Sequence, residues 1–442
     1  MRTHRIGSTA AVAAVGVLAL AGCGSNGPSP GSSPGTANKG TISIGVDLPQ
    51  SGAEASDGIP TLNGIKFAVS QQGTLDGYTL QVVNKDDAPT GKHDPTVGAN
   101  NVRALIADSS VLGMIGPFNS NVAKVEIPIA NSASLPMISP ANTNPCLTKN
   151  LPDCSLPGGY HPADLRPTGV NNYFRVAATD DHQGGAMADY AYKVLGIKQI
   201  GVVDDNEVYG KGIADAFASR FKTDGGTIAG GSVNDVDTAS ESSFAALIDR
   251  MKSGGATAVY FGGTSSTKGC VIRNQMSSNG MPAASNQFLG GDGIVDAECL
   301  KDAGDQAANM FGTVASADAT KIPAAQATIT AFKAAYPNPA DYGAYTIPAY
   351  SATKILIAAI DKAIKAKNGG LPTRKEVLAQ VAKTSNVSTP LGPVSFNSLG
   401  DTSQQIISIY KSVTTGSSTP LTCSATNKQV CWVFVKQVNF SS

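Results

Sequence analysis

The sequence predicts an α/β chain folded as two lobes, each on a doubly wound parallel sheet. Three observations carry this. From residue 41 onward, short β-rich runs alternate with longer helical stretches, the order expected of βαβ units and a parallel sheet. That rhythm halts at a loop-rich stretch, residues 146–168, and then restarts, so there are two sets of units. About 400 residues follow the N-terminal region, a length that favours two domains over one core.

The elements follow in order. Ile42, Ile44 and Val46 alternate with small or polar residues, as in a strand, and residues 62–71 place Leu62, Ile65, Phe67 and Val69 on a helix face. Strands are expected at 79–83, 111–115 and 135–138, with helices at 96–107 and 122–133 between them. In the second set, strands are expected at 173–176, 199–203, 256–261 and 287–289. Helices are expected at 183–194, 213–221, 242–251 and 268–277; Ile213, Phe217 and Phe221 recur every four residues. A long helix is expected at 348–365. The pattern then changes to a hairpin-rich tail with strands at 394–396, 406–410 and 430–435.

The N-terminus reads as an address. Arg2, His4 and Arg5 precede an uncharged apolar run, residues 10–21, ending in Leu20-Ala21-Gly22-Cys23. That is the pattern of a secretory signal peptide over residues 1–22. The run is too short for the ~20 apolar residues that a membrane span needs. Its end resembles the lipobox of bacterial lipoproteins, which implies lipid attachment at Cys23. Residues 23–40 are almost all Gly, Ser, Pro, Asn and Thr, the composition of a flexible tether. Within it, Gly31 to Gly35 fits the G-x-S-x-G pattern but lacks the strand before and helix after that the hydrolase elbow requires.

Composition narrows the function. Lys and Arg total 33, balanced by 33 Asp and Glu, so no basic surface points to nucleic acid. Beyond Cys23 stand six cysteines: Cys146, Cys154, Cys270, Cys299, Cys423 and Cys431. An even count in an exported chain points to disulfides. Nearest-neighbour pairing is expected: Cys146–Cys154, Cys270–Cys299 and Cys423–Cys431. A metal site is the rival reading, but there is no C-x-x-C, and the histidines other than His161 lie far from any cysteine cluster. No cofactor is expected.

In open α/β sheets, ligands bind beyond the carboxyl ends of the strands. Asn119 and Ser120 stand at a helix start, where they either cap the helix or leave amides for an anion. Ala141, Asn142 and Thr143 lie in a polar loop after a strand. Tyr209-Gly210-Lys211-Gly212 reads as a tight turn from which Tyr209 projects. Thr264 follows one strand and Asp292 another; Asp292 either meets an ammonium group or caps the next helix. Gly210 and Gly212 lack the third glycine of a dinucleotide fingerprint.

The chain resembles the branched-chain amino-acid (Leu/Ile/Val) binding proteins, type I periplasmic binding proteins of ABC importers. The resemblance lies in Ile44 to Gly52, Asn63-Gly64-Ile65, Asp86-Asp87, Ile115-Gly116-Pro117 and Met137 to Ala141. It continues in Asn172-Tyr173-Phe174-Arg175, Tyr209 to Gly212, Gly290 to Gly293, Phe396 and Gly400-Asp401. It implies two lobes joined by a three-stranded hinge, with crossings near Val176, Val314 and Val387. The lobes would comprise residues 41–175 with 315–386, and 176–314 with 387–442. It also implies a ligand carboxylate at Ser120, Ala141 and Thr143, and an ammonium group at Tyr209 and Asp292. Asp292 stands where the family usually carries Glu. A second aromatic is missing near Thr264, and Asn142 replaces a small apolar residue, so leucine, isoleucine and valine are not implied specifically. The implied protein is a monomer on the outer face of the cytoplasmic membrane that gives an amino acid or related amide or carboxylate to a permease. A sensor subunit with the same fold and an envelope hydrolase are the alternatives. The hydrolase lacks any plausible spacing of a nucleophile and the histidines His93, His161 and His182.

Overall fold

The computed structural model describes residues 38–151, 161–414, 420–424, 426 and 430–440. Cys23, Cys154 and the signal peptide lie outside the described residues.

The first sheet contains β1 (Thr41–Leu48), β2 (Thr74–Leu75), β3 (Tyr78–Asp86), β4 (Val111–Ile115), β5 (Met137–Ser139) and β6 (Tyr173–Arg175). Their order is β2-β3-β1-β4-β5-β6, all parallel except the β2–β3 pair. Helices α1 (Ala55–Gln72), α2 (Pro95–Ala107) and α3 (Ser120–Ser132) connect its strands. Ile42, Ile44, Val46 and Leu48 are all fully buried, as central strands covered by helices on both faces must be. Asp94 starts α2 by accepting the amides of Thr96 and Val97, with Pro95 at the first helical position.

The second half contributes α4 (Asp180–Asp189), β7 (Gln199–Asp204), α5 (Val208–Thr223), β8 (Thr227–Ile228), β9 (Asn234–Asp235) and α6 (Ala245–Ser253). It continues with β10 (Ala258–Gly262), α7 (Gly269–Ser278), β11 (Phe288–Gly290), α8 (Ala297–Ala303) and β12 (Met310–Val314). After β12 the chain returns to pack α9 (Gln326–Ala335), α10 (Thr346–Ala366) and α11 (Arg374–Val381) against first-half elements, and then forms the hairpin β13 (Val387–Thr389) and β14 (Gly392–Val394). It ends in β15 (Ile406–Thr414), β16 (Thr422–Cys423) and β17 (Val430–Asn439). The second sheet runs β16-β17-β15-β12-β11-β10-β7-β8, with β9 beside β7. Its β12-to-β8 portion is parallel and its tail is antiparallel. Disulfides join Cys270 to Cys299 and Cys423 to Cys431.

Three chain segments pass between the sheets and are laced together. Ala178 N–H donates to Ala315 O at 2.8 Å, Ser408 Oγ to Ser316 O at 2.7 Å, and Arg175 N–H to Gly400 O at 3.0 Å. Two passages leave β6 and β12, near Val176 and Val314. The expected crossing near Val387 is corrected: Val387, Val394 and Phe396 pack into the first core, and the last passage lies between Asp401 and β15. A short β-hairpin looks the same in sequence whether it ends one lobe or begins another.

Helix starts also differ from expectation. α1 begins seven residues before position 62, since Gly58 and Pro60 lie inside the helix. Gly58 is needed for close approach rather than a turn: a Cβ there would sit 1.7 Å from Pro49 O. α5 begins at Val208, so Tyr209 stands in its first turn and not in a preceding loop.

Candidate ligand-binding site

A cavity of about 280 Å³ lies between the sheets, lined by Phe118, Asn119, Ser120, Ala141, Thr143, Tyr209, Thr264, Asp292 and Gly293. Every lining residue follows the carboxyl end of a parallel strand: β4, β5, β7, β10 or β11.

Ser139 shapes the first wall. Its Oγ accepts the amides of Ala141 (3.2 Å) and Asn142 (2.9 Å) and donates to Pro117 O at 2.7 Å. Ser120 and Thr143 line the cavity from the same lobe, and the Thr143 side chain also bonds to Asp180. Asn119 precedes α3, yet its side chain makes no cap; Nδ2 turns toward Glu54 Oε1 at 3.4 Å. Asn119 Oδ1 is buried with no partner among the described residues, so it is an acceptor awaiting a donor.

Asp292 forms the opposite wall. Tyr209 Oη donates to its Oδ1 at 2.6 Å and Gln183 Nε2 at 2.8 Å, while Tyr345 Oη donates to Oδ2. Burial raises the Asp292 carboxyl against the opposing effect of these three donors. Burial and the adjacent Asp292 charge push both phenols well above the usual tyrosine value, so each holds its proton as a donor. A Cβ at Gly291 would sit 2.3 Å from Tyr209 Oη; only glycine lets the phenol reach the carboxylate. Phe118 and Tyr345 meet edge to face, with ring centroids 5.3 Å apart.

The structure thus brings seven of the expected residues to one cavity: Asn119, Ser120, Ala141, Thr143, Tyr209, Thr264 and Asp292. Asn142 is the exception and is corrected. Its side chain is fully buried behind the wall, donating to Phe118 O at 2.5 Å and accepting from Tyr173 Oη at 2.9 Å. Its polarity is spent on the loop and does not repolarise the pocket. Sequence reading missed Phe118, Gly293, Gln183 and Tyr345. Phe118 and Gly293 adjoin named residues. Gln183 and Tyr345 reach the site from distant segments, and nothing local marks them.

Acid surrounds the site. Asp57, in the first turn of α1, is pushed well up by burial and by Asp296, Glu54 and Asp292. Burial raises Asp296 to about 7, Asp205 to about 7 and Asp204 to about 8. Deeper in the first lobe, burial pushes Asp47 to about 6 and raises Asp87 and Glu126 well above the carboxylate range. Among the described residues, no lysine or arginine lines the cavity.

These shifts set a pH dependence. A carboxyl whose native value is raised holds a proton that the unfolded chain has lost, so stability falls as pH rises from the ordinary carboxylate value to the raised one. The thermal midpoint is therefore expected to be higher near about pH 5 than near about pH 8, and Glu126→Gln, which mimics the protonated acid, should flatten part of that slope. A midpoint that rises over the same interval would mean that these acids are ionised in the native state.

Among the described residues no helix is long and apolar enough to cross a membrane, and no group of three or more His, Cys, Asp or Glu is placed to hold a metal ion.

Two α/β lobes, a three-segment hinge and a cleft at the strand ends are the build of a two-lobed solute-binding protein. The chain belongs to the periplasmic binding protein family, whose profile matches residues 41–413, and within it to the branched-chain amino-acid binding proteins. It is 31% identical over 373 residues to the Leu/Ile/Val-binding protein BraC3 of Rhizobium johnstonii, covering 84% of this chain and 91% of that one. It is 28% identical to an amino acid binding protein of Pseudomonas aeruginosa, over 81% of this chain and 87% of that one. Its fold is similar to that of a leucine-binding protein of Thermotoga maritima (TM-score 0.73, 24% identity, 90% of this chain and 99% of that one). It is also similar to that of an ABC-transporter solute-binding protein of R. palustris in complex with 4-hydroxybenzoate (TM-score 0.72, 18% identity, 91% and 98%).

Proposed function

We propose that the protein is an extracytoplasmic solute-binding lipoprotein of an ABC importer. It captures an amino acid, or a related small amide or carboxylate, in the interlobe cleft by hinge closure. The observation that carries this is Asp292, held at the cavity wall by Tyr209, Tyr345 and Gln183, in a cavity that Ser120 and Thr143 of the other lobe also line. A ligand nitrogen cation meets Asp292 and Tyr209. A ligand carboxylate meets Ser120, Ala141 and Thr143. Burying a zwitterion is tolerable when each charge gains several hydrogen bonds, and this cleft offers them at both ends. Binding to one lobe and then bridging to the other stabilises the closed form, which a membrane permease recognises.

Family membership supports a binding role rather than catalysis. In this reading Cys23 carries the lipid that holds a monomeric binding domain at the outer face of the membrane, on the tether of residues 23–40. The acceptor Asp292 at the cavity wall favours a ligand with a donor nitrogen. The relatives named for Leu/Ile/Val and the neighbour holding 4-hydroxybenzoate define the screening panel: amino acids, amides, ureas and aromatic acids.

A thermal-shift screen of the purified protein tests this. A ligand at about 100 times its dissociation constant stabilises by roughly 2.7 kcal/mol, an easily read rise in melting midpoint. One chemical class raising the midpoint supports capture and names the ligand. No rise across the panel removes the amino-acid reading.

A further inference from the structure

Outside the cavity, the lobes meet through a cluster that ligand binding does not use. His93, in the loop between β3 and α2, places Nδ1 at 2.8 Å from Glu54 Oε1 in its own lobe and Nε2 at 2.7 Å from Glu207 Oε2 in the other. The imidazole is 1% exposed. Lys92 pairs with Glu207 Oε1, and Asn121 Nδ2 donates to Glu207 Oε2 at 3.1 Å. From the second lobe, Ser266 Oγ donates to Glu54 Oε1 at 2.7 Å. Asn144 Nδ2 adds a bond to Val208 O at 2.7 Å.

We propose that Glu54, His93 and Glu207 form an interlobe latch that closes the cleft when His93 is an imidazolium, making closure itself pH-dependent. An imidazole between two carboxylates donates to both only when both ring nitrogens carry protons. Opening breaks the bond to Glu207 and leaves the bond to Glu54, because Glu54 and His93 share a lobe. The charged groups facing His93 are Glu54 from the turn after β1, Glu207 from the head of α5 and Lys92 beside it; Asp87 after β3 and Asp205 after β7 also face it, but burial raises both carboxyls, so they tend to keep their protons. The two ionised glutamates, both in hydrogen-bond contact with the ring, against one lysine favour the cation.

Burial opposes the charge on His93, but Glu54 and Glu207 outweigh it and raise the group well above its usual 6.5. Burial likewise works against Glu207, but His93 and then Lys92 bring it down to about 2. Burial also opposes the Glu54 carboxylate, which His93 nonetheless holds below 4.5. The sign follows. A raised histidine strengthens closure at low pH and loses that contribution as pH rises through its closed-state value; the lowered glutamates contribute above 4.5 and fail toward about 2. The latch therefore holds from mildly acidic to neutral pH and releases on the alkaline side.

The latch rests on hinge closure as the working motion, and its test needs no identified ligand. Donor and acceptor dyes on the two lobes, or solution scattering, would follow closure of the purified protein across pH. Wild type is expected to open as pH rises. Glu207→Gln should shift the open-to-closed ratio by about tenfold or more toward open. His93→Gln should open the protein and abolish the alkaline transition. The double variant should be no more open than His93→Gln alone. The proposal is overturned if Glu207→Gln and His93→Gln close as fully as wild type, or if the wild-type transition persists in His93→Gln. A wild type that shows no open form at any pH counts against hinge closure itself.

Discussion

Asp292→Ala is expected to abolish ligand capture while leaving the fold intact. The change removes the carboxylate proposed to meet the ligand cation and leaves the Tyr209, Tyr345 and Gln183 donors without their acceptor. Truncating one partner of a buried, hydrogen-bonded charge pair costs about 2–5 kcal/mol, so affinity should fall by roughly 30-fold or more. The effect on stability is smaller: burial raises the Asp292 carboxyl, so losing the buried charge offsets part of the cost of the three unsatisfied donors. Calorimetric titration with the ligand found in the screen, beside a melting curve of the unliganded variant, separates the two effects. Unchanged affinity would remove Asp292 from the site. A collapsed melting midpoint would make it a structural acid.

Much of this architecture was legible in the chain, for physical reasons. Parallel strands buried on both faces must be apolar, and helices between them must carry apolar residues on a 3.6-residue period. Ile42, Ile44 and Val46, or Ile213, Phe217 and Phe221, announce themselves in this way. The site was legible because ligands in such sheets gather at strand ends, and those loops are short enough to name. What stayed hidden depends on contacts distant in sequence. Tyr345 reaches Asp292 across 53 positions and Gln183 across 109, with no local signal at either. Asn142 misled because polarity in a loop reads the same whether it faces a ligand or ties down Phe118 O. Gly58 and Pro60 masked the start of α1, since glycine demanded by close packing against Pro49 is indistinguishable in sequence from glycine demanded by a turn. In the sequence His93 stands only as a histidine without a catalytic partner, and only the fold sets it between Glu54 and Glu207.

Asp401→Ala is expected to lower stability by about 3–5 kcal/mol, because it strands the Arg175 guanidinium in the interior. Arg175 and Asp401 are 0% and 1% exposed and pair at 2.7 Å. Arg175 ends β6 at the first passage between lobes, and Asp401 lies beside it at the last, so the pair clasps two of the three hinge segments. Arg175 Nη1 also donates to Asn144 O at 2.7 Å and Nη2 to Thr148 Oγ1 at 2.5 Å. These bonds anchor the loop that presents Ala141 and Thr143 to the cavity. Against a typical total of about 5–15 kcal/mol, the loss is a large fraction. Urea unfolding should show a lower midpoint at unchanged slope, the sign of lost stability rather than altered compactness. An apolar replacement of both partners, Arg175→Met with Asp401→Leu, removes the stranded charge and should recover much of the loss. If the double variant is as unstable as Asp401→Ala, the bonds from Arg175 to Asn144 and Thr148 matter more than the ion pair. In that case ligand affinity should fall in the double variant as well, because the loop proposed to hold the ligand carboxylate would have lost its anchor.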